Sequence, residues 1–139
     1  MPTVTVSREL LAPLDDVWAF VAEPHNFPNW WPRVGGVHPD RLGLVPGARW
    51  RVQGESKPSL LRRPEAVGQL VVLAVQPKRL LGFQLTGDRL EVELTLEPAG
   101  ENRTGATLRV QGPWLVGLSR ALPREALFRL HALCQTGAA

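Results

Sequence analysis

Residues 89–97 alternate between apolar and polar side chains without a break. Such alternation is typical of a β-strand with one buried face and one solvated face. The same criterion predicts strands over 3–10, 48–53, 80–86 and 106–111, and a weaker one over 34–42. A further strand is predicted over 67–76, where much of the segment is apolar on both faces. Gly87-Asp88 predicts a hairpin turn before the strand 89–97.

Helical spacing occurs in three places. Pro13 favours a helix over 14–22, which Glu23-Pro24 ends because the residue before proline avoids the α region. A second short helical turn is predicted over 26–31. From 114 to 135, apolar residues recur every three or four positions and predict a long helix. Pro123 falls inside this pattern, so the helix must kink or restart there, and a kink would set the width of any cavity entrance.

This order of elements predicts an α+β fold, since a run of strands is followed by one long helix. A strand that is apolar on one face must bury that face, and the C-terminal helix is the one element long enough to cover it. We therefore expect a curved antiparallel sheet of six to seven strands wrapped around the C-terminal helix, with two short helices after the first strand. The 139 residues predict a single domain, 1–139.

Composition narrows the class of protein. Hydrophobic residues make up 44% and charged residues 21% of the chain, which excludes a disordered protein. A single cysteine, Cys134, cannot form an internal disulfide and fits a reducing compartment. We find no signal peptide and no membrane-spanning apolar run, so we expect a soluble, cytoplasmic protein.

The net charge of +3 is too small to indicate a nucleic-acid surface. Every cation except Lys57 and Lys78 is arginine, and isoleucine and tyrosine are absent, a composition that indicates codon bias from a GC-rich bacterium. Strand alternation places Trp50 opposite its two arginine neighbours, whereas base stacking needs aromatic and basic groups on one face. We expect no nucleic-acid partner.

Candidate catalytic groups are few. His25, His38 and His131 lack metal-ligand spacing, so no metal is expected. Cys134 lies on an apolar helix face, where a thiol is usually inert packing. The residues that could transfer protons are His25, Arg33, Glu9 and Asp40, although Arg33 and Glu9 are more simply explained as solvated charges at strand ends. We assign no catalytic residue.

Several segments carry a resemblance to a known family. They are Ala12-Pro13 with Val17-Trp18, the stretch 26–32 (NFPNWWP), Gly47-Ala48-Arg49-Trp50, the stretch 94–98 (LTLEP) and Gly105-Ala106-Thr107-Leu108. With the order of elements, they resemble the START-like or SRPBCC superfamily of polyketide cyclases/dehydrases and its helix-grip fold. The resemblance implies an apolar cavity between sheet and helix that takes up lipids, polyketides or similar molecules. The chain lacks the glycine-rich loop of the plant-allergen members and has no tyrosine, a frequent pocket residue of the cyclases.

In such a fold, the apolar strand faces would line the cavity, since ligand pockets are mostly apolar and aromatic. The residues expected to line it are Trp30, Trp31, Trp50, Val52, Leu81, Phe83, Leu85, Val92, Leu94, Leu108, Val110, Leu118 and Leu122. His25 and Arg33 are possible polar groups of the pocket. The loop 54–65 is a candidate gate, because Leu60-Leu61 could cap the mouth and Arg62-Arg63 could meet an anionic head group.

Three functions remain open at this point. The first is binding or transport of a hydrophobic small molecule, lipid or polyketide-like, without a cofactor. The second is a cofactor-independent cyclase or dehydratase on the same scaffold. The third is a module whose exposed apolar patch contacts a protein or a membrane.

Overall fold

A computed structural model of the chain describes residues 3–32, 34–54, 68–87, 89–112 and 121–137. Its seven strands form one antiparallel sheet in the order β1-β7-β6-β5-β4-β3-β2. The strands are β1 (Thr3–Leu10), β2 (Val34–His38), β3 (Arg49–Gly54), β4 (Gly68–Gln76), β5 (Leu80–Leu85), β6 (Leu90–Gly100) and β7 (Arg103–Gln111).

Three α-helices accompany the sheet: α1 (Leu14–Ala22), α2 (Phe27–Trp30) and α3 (Ala121–Gly137). A single 3₁₀ turn, Pro24–Asn26, joins α1 to α2. The two short helices after the first strand therefore fit the sequence prediction. Helix α1 ends where predicted, with the Glu23 N–H bonded to the Phe20 carbonyl oxygen just before Pro24.

The predicted alternation in β6 is confirmed. Leu90, Val92, Leu94 and Leu96 are buried, and Glu91 and Glu93 between them are exposed. Asp88 of the predicted hairpin turn lies outside the described residues. The strands predicted over 89–97 and 106–111 are too short where they meet, because β6 extends to Gly100, β7 begins at Arg103, and these two residues pair across a two-residue turn.

The weak strand predicted over 34–42 is shorter than expected. It ends at His38, immediately before Pro39, which has no N–H to continue the ladder. Residues 39–48 form a connection that we call the β2–β3 loop. The register of β2 against β3 shifts between Val34 and Gly36, so this edge strand carries a bulge. At the other edge, β1 pairs with β7 over eight residues in unbroken register.

Helix α3 packs on β1 and β7 and contacts α2, so the curved sheet and the short helices enclose its apolar side. Ala126, Leu127 and Leu130 on that side are buried. Pro123 is the third residue of α3 in the described range. Residues 113–120, which decide between a kink and a restart at Pro123, lie outside the described residues.

Candidate functional site

Four aromatic rings pack together between α2 and the inner face of β5. We call Phe27, Trp30, Trp31 and Phe83 the aromatic cluster; each is at most 3% exposed. Phe83 lies edge-on to the other three rings, with centroids 5.3, 6.3 and 5.7 Å away. Phe27 and Trp31 are near-parallel, with centroids 6.1 Å apart. Edge-to-face packing of this kind contributes beyond simple area burial.

The short helix α2 explains why three of these rings converge. Residues at positions i, i+3 and i+4 share one helical face, and Phe27, Trp30 and Trp31 have this spacing. The Trp31 N–H closes the turn on the Phe27 carbonyl oxygen at 2.9 Å. Just before it, Asn26 Nδ2 donates to the Phe20 carbonyl oxygen at 3.1 Å, which holds α2 against the end of α1. The sequence prediction included both tryptophans and missed Phe27, although the spacing contained the signal.

The indole nitrogen of Trp30 is the one polar atom of this cluster that is both fully buried and unpaired. Trp30 is 0% exposed, and no acceptor within the described residues reaches its Nε1. A buried tryptophan N–H usually finds a partner, and leaving it unpaired costs about 1–3 kcal/mol. Unsatisfied buried groups of this kind are associated with functional sites. The aromatic cluster therefore presents a hydrogen-bond donor inside an apolar environment.

The inner face of the sheet continues the apolar surface around the cluster. Phe83 pairs with Val72 on one side and with Val92 on the other, and Val92 pairs with Val110. A parallel row runs through Leu81, Leu94 and Leu108. The predicted lining residues that share this buried face are Trp50, Val52, Leu81, Phe83, Leu85, Val92, Leu94, Leu108 and Val110. Leu122 on α3 is partly buried against the same core, and Leu118 lies outside the described residues.

Trp50 belongs to this face and also forms a hydrogen bond to a surface loop. Its ring is 3% exposed, opposite Leu70 on β4. Its indole Nε1 donates to the Gly43 carbonyl oxygen at 2.9 Å, in the β2–β3 loop. The two indoles on the inner face thus differ, because the N–H of Trp50 is satisfied within the fold whereas that of Trp30 is not.

The predicted proton-transfer groups lie elsewhere. The His25 ring is 71% exposed, and its Nδ1 lies 2.8 Å from Glu23 Oε1. The hydrogen bond from the His25 side chain, aided by one from its backbone N–H, lowers the pKa of Glu23. Glu9 forms an exposed ion pair with Arg103 at 2.9 Å. Arg33 and the candidate gate loop 54–65, apart from the backbone of Gly54, lie outside the described residues.

Asp40 has a structural role that the sequence did not indicate. Its Oδ1 accepts the Leu42 N–H at 3.0 Å, and its Oδ2 accepts the Arg49 N–H at 2.9 Å. Both carboxylate oxygens are thereby used to hold the β2–β3 loop. Asp40 braces the backbone of this loop.

The cysteine on α3 is buried. Burial raises the pKa of the Cys134 thiol, and the carboxylate of Asp16 raises it further. A neutral thiol is a poor nucleophile, so this site favours packing. Within the described ranges, no group of three or more His, Cys, Asp or Glu side chains could hold a metal ion. No helix in those ranges has the length and apolarity needed to cross a bilayer.

A surface cleft of about 650 Å³ opens between β1 and α3, which sequence patterning did not predict. It is lined by residues 5–8 of β1 and by Arg124, Glu125, Leu127 and Phe128 of α3. The Arg8 guanidinium carbon lies 5.6 Å from the centroid of the Phe128 ring, within the range of a cation–π contact. This cleft is separate from the aromatic cluster.

A curved seven-stranded antiparallel sheet around a C-terminal helix defines the helix-grip class of protein. Solved structures share this fold. A START superfamily protein from Mycobacterium smegmatis matches with a TM-score of 0.72 at 15% identity, over 96% of each chain. The protein XoxI from Bacillus cereus matches with a TM-score of 0.75 at 12% identity, over 100% of this chain and 99% of that one. The di-domain ARO/CYC BexL of the BE-7585A biosynthetic pathway matches with a TM-score of 0.72 at 17% identity, over 95% of this chain and 46% of BexL.

Residues 1–133 match the family model described as "Polyketide cyclase / dehydrase and lipid transport". The chain therefore belongs to this family, as the sequence motifs indicated. No protein with a curated description matches it in sequence.

Proposed function

We propose that this protein binds a hydrophobic small molecule, lipid or polyketide-like, against the inner face of the sheet and the aromatic cluster. The observation that carries the proposal is the buried, unpaired N–H of Trp30. An apolar ligand with an oxygen acceptor, such as a ketone or a hydroxyl group, would accept this hydrogen bond and remove its desolvation cost.

The surroundings of Trp30 support a ligand of this type. Pockets for small molecules are mostly apolar and aromatic, with a few polar groups that fix orientation. The inner face offers rings and aliphatic side chains in two cross-strand rows, and one indole donor beside them. Membership of a family described by both polyketide chemistry and lipid transport is consistent with this ligand class.

Binding is favoured over catalysis because few side chains of the described interior can transfer a proton. A cyclase or dehydratase needs a group that transfers protons inside the cavity. In the part of the chain that is described, the fully buried polar residue is Thr104, whose hydroxyl donates to the Ala12 carbonyl oxygen at 2.8 Å. His131 on α3 also has a buried Nδ1 with no partner among the described residues, so it is the side chain to replace in a test for proton transfer. His25 is occupied by Glu23 at the surface. The cyclase alternative would be favoured by turnover of a bound compound, with release of water or formation of a ring.

The test uses two probes that differ in one carbonyl oxygen: 2-acetonaphthone and 2-ethylnaphthalene. We expect saturable quenching of tryptophan fluorescence by both, with the ketone bound about tenfold more tightly, since one hydrogen bond to a buried donor has about this effect. Trp30→Phe keeps a ring and removes the donor, so it should abolish the preference. Trp31→Phe is the matched control and should retain it.

A ligand should also raise the melting temperature, because it binds the folded state alone. Native mass spectrometry of the purified protein should reveal any small molecule that co-purifies. The proposal fails if neither probe, nor a broad panel of fatty acids and aromatic ketones, gives a saturable response. Equal affinity of the wild-type protein for both probes would instead show that the indole N–H of Trp30 does not donate a hydrogen bond to the ligand.

A further inference from the structure

The β2–β3 loop has an unusual composition for a surface connection. Between Arg41 and Gly47 its residues are Leu, Gly, Leu, Val and Pro, so this stretch has no side chain that can donate or accept a hydrogen bond. Leu42 is 63% exposed and Val45 is 40% exposed. Single exposed apolar residues are common. Here two of them lie three residues apart, in a stretch without a polar side chain.

The conformation of the loop is held by backbone contacts at both ends and in the middle. Asp40 accepts the N–H groups of Leu42 and Arg49. The Gly47 N–H donates to the Val72 carbonyl oxygen at 2.8 Å, which ties the loop to β4. The loop is therefore fixed before any partner arrives, and binding would cost little conformational entropy.

Glycine permits this arrangement at two positions. Gly43 and Gly47 have φ values of 70° and 90°, in the left-handed region that other residues rarely adopt. At Gly43 the carbonyl oxygen also accepts the indole N–H of Trp50. In this conformation the side chains of Leu42 and Val45 are exposed.

Three arginines lie close to the apolar stretch in the sequence, one before it and two after it. Arg41, Arg49 and Arg51 are exposed, and in the part of the chain that is described none of them forms an ion pair. Arg49 Nη1 donates to the neutral side chain of Gln69 at 3.4 Å. The acid of this loop, Asp40, has both oxygens committed to backbone N–H groups. The surface therefore combines exposed aliphatic side chains with cations.

We propose that the β2–β3 loop is a docking surface for an anionic lipid bilayer. Leu42 and Val45 insert at the boundary between headgroups and acyl chains, and the three arginines contact the anionic headgroups. A bilayer fits better than a protein partner, because the stretch between Arg41 and Gly47 offers no polar side chain for a specific partner to recognise. The inference concerns a surface of the molecule and does not depend on the proposed interior ligand.

The experiment measures co-sedimentation of the full chain with sucrose-loaded vesicles, made either of phosphatidylcholine alone or of phosphatidylcholine with phosphatidylglycerol. We expect binding to the anionic vesicles that weakens as salt is added, and little binding to the neutral ones. The double variant Leu42→Ser with Val45→Ser should bind at least about tenfold more weakly, since two inserted side chains are lost. Arg41→Gln should lower binding to anionic vesicles alone.

Leu11→Ser is the matched control. Leu11 is 42% exposed and follows β1, at the opposite edge of the sheet from β2. It should leave vesicle binding unchanged. Absence of binding to anionic vesicles at low salt overturns the proposal, and so does an equal loss in the control and the loop variant. The naphthyl probes of the previous section should bind the loop variant normally, which separates failure of this proposal from failure of the interior site.

Discussion

The indole N–H of Trp50 donates to the main-chain carbonyl oxygen of Gly43 over 2.9 Å. A side chain of the inner sheet face therefore holds the backbone of a surface loop. Because Gly43 has a positive φ, the carbonyl is presented in a direction that few other residues allow. This hydrogen bond connects a buried side chain to the β2–β3 loop, in addition to the bond from the Gly47 N–H to the Val72 carbonyl oxygen.

Trp50→Phe tests this connection. The variant keeps a buried ring and leaves the Gly43 carbonyl without its partner, so we expect a loss of about 1–3 kcal/mol in the free energy of unfolding, measured in urea. Amide exchange at Leu42 and Val45 should accelerate because the loop loses a restraint. Trp18→Phe on α1 is the control, and should leave exchange in the loop unchanged. Unaltered exchange in Trp50→Phe would show that the other contacts alone fix the loop.

Trp30→Phe should be tolerated better than Trp31→Phe in the ligand-free protein. Both changes reduce the volume of a fully buried ring, and both leave a cavity. Only the change at Trp30 also removes an unpaired buried donor. We expect Trp30→Phe to be less destabilising than Trp31→Phe by about 1–3 kcal/mol in urea denaturation. An equal or larger loss at Trp30 would mean that its N–H is satisfied in solution.

Cys134 should make the protein less stable at alkaline pH. Burial raises the pKa of this thiol in the folded state above its ordinary value of 9.0. In the unfolded chain the thiol ionises first, so its contribution to stability is complete below 9.0 and is lost as the pH rises through the folded-state pKa. Cys134→Ala should flatten the fall in the urea midpoint over this range.

The same thiol should react slowly with iodoacetamide at pH 8, since the thiolate is the nucleophile and the neutral form is favoured. Addition of urea should accelerate alkylation to the rate of an unfolded peptide. Fast alkylation of the folded protein would contradict the raised pKa.

Pro123→Ala distinguishes a first-turn proline from an interior one. A proline inside a helix costs about 3 kcal/mol, so its replacement would stabilise a kinked helix markedly. In the first turn of a helix it costs no hydrogen bond, and replacing it increases the freedom of the unfolded chain. A gain in stability on thermal or urea unfolding therefore indicates a proline inside the helix, whereas a loss of up to about 1 kcal/mol indicates a proline in the first turn of a separate helix.

The sheet could be predicted from the sequence where one face is buried and the other solvated. In β6, a shift of one residue would have placed Glu91 and Glu93 in the core, so the pattern allowed a single assignment. The β2–β3 loop misled the same reasoning, because the strand was predicted to continue to Leu42, whereas Pro39 ends it at His38.

The sequence indicated which side chains form the candidate site, but it did not indicate their hydrogen bonds. Tryptophan pairs and apolar strand faces indicated which side chains would be buried together. Periodicity cannot reveal which indole N–H is satisfied, since Trp50 finds its acceptor in a loop seven residues before it and Trp30 finds none among the described residues. The role of Asp40 was only partly visible. Its bond to the Leu42 N–H two residues later is a common turn pattern, whereas its bond to the Arg49 N–H nine residues later follows no regular spacing.

The two edges of the sheet differ in their susceptibility to aggregation. The edge at β2 is short and bulged, and both properties discourage pairing with another chain. The edge at β1 runs for eight residues without a bulge or a proline, and such a strand can pair with a strand of another molecule where its outer edge is free. Arg8 and Glu9 are the charges on this strand that oppose such pairing. At high protein concentration, we expect loss of these two charges to promote intermolecular sheets.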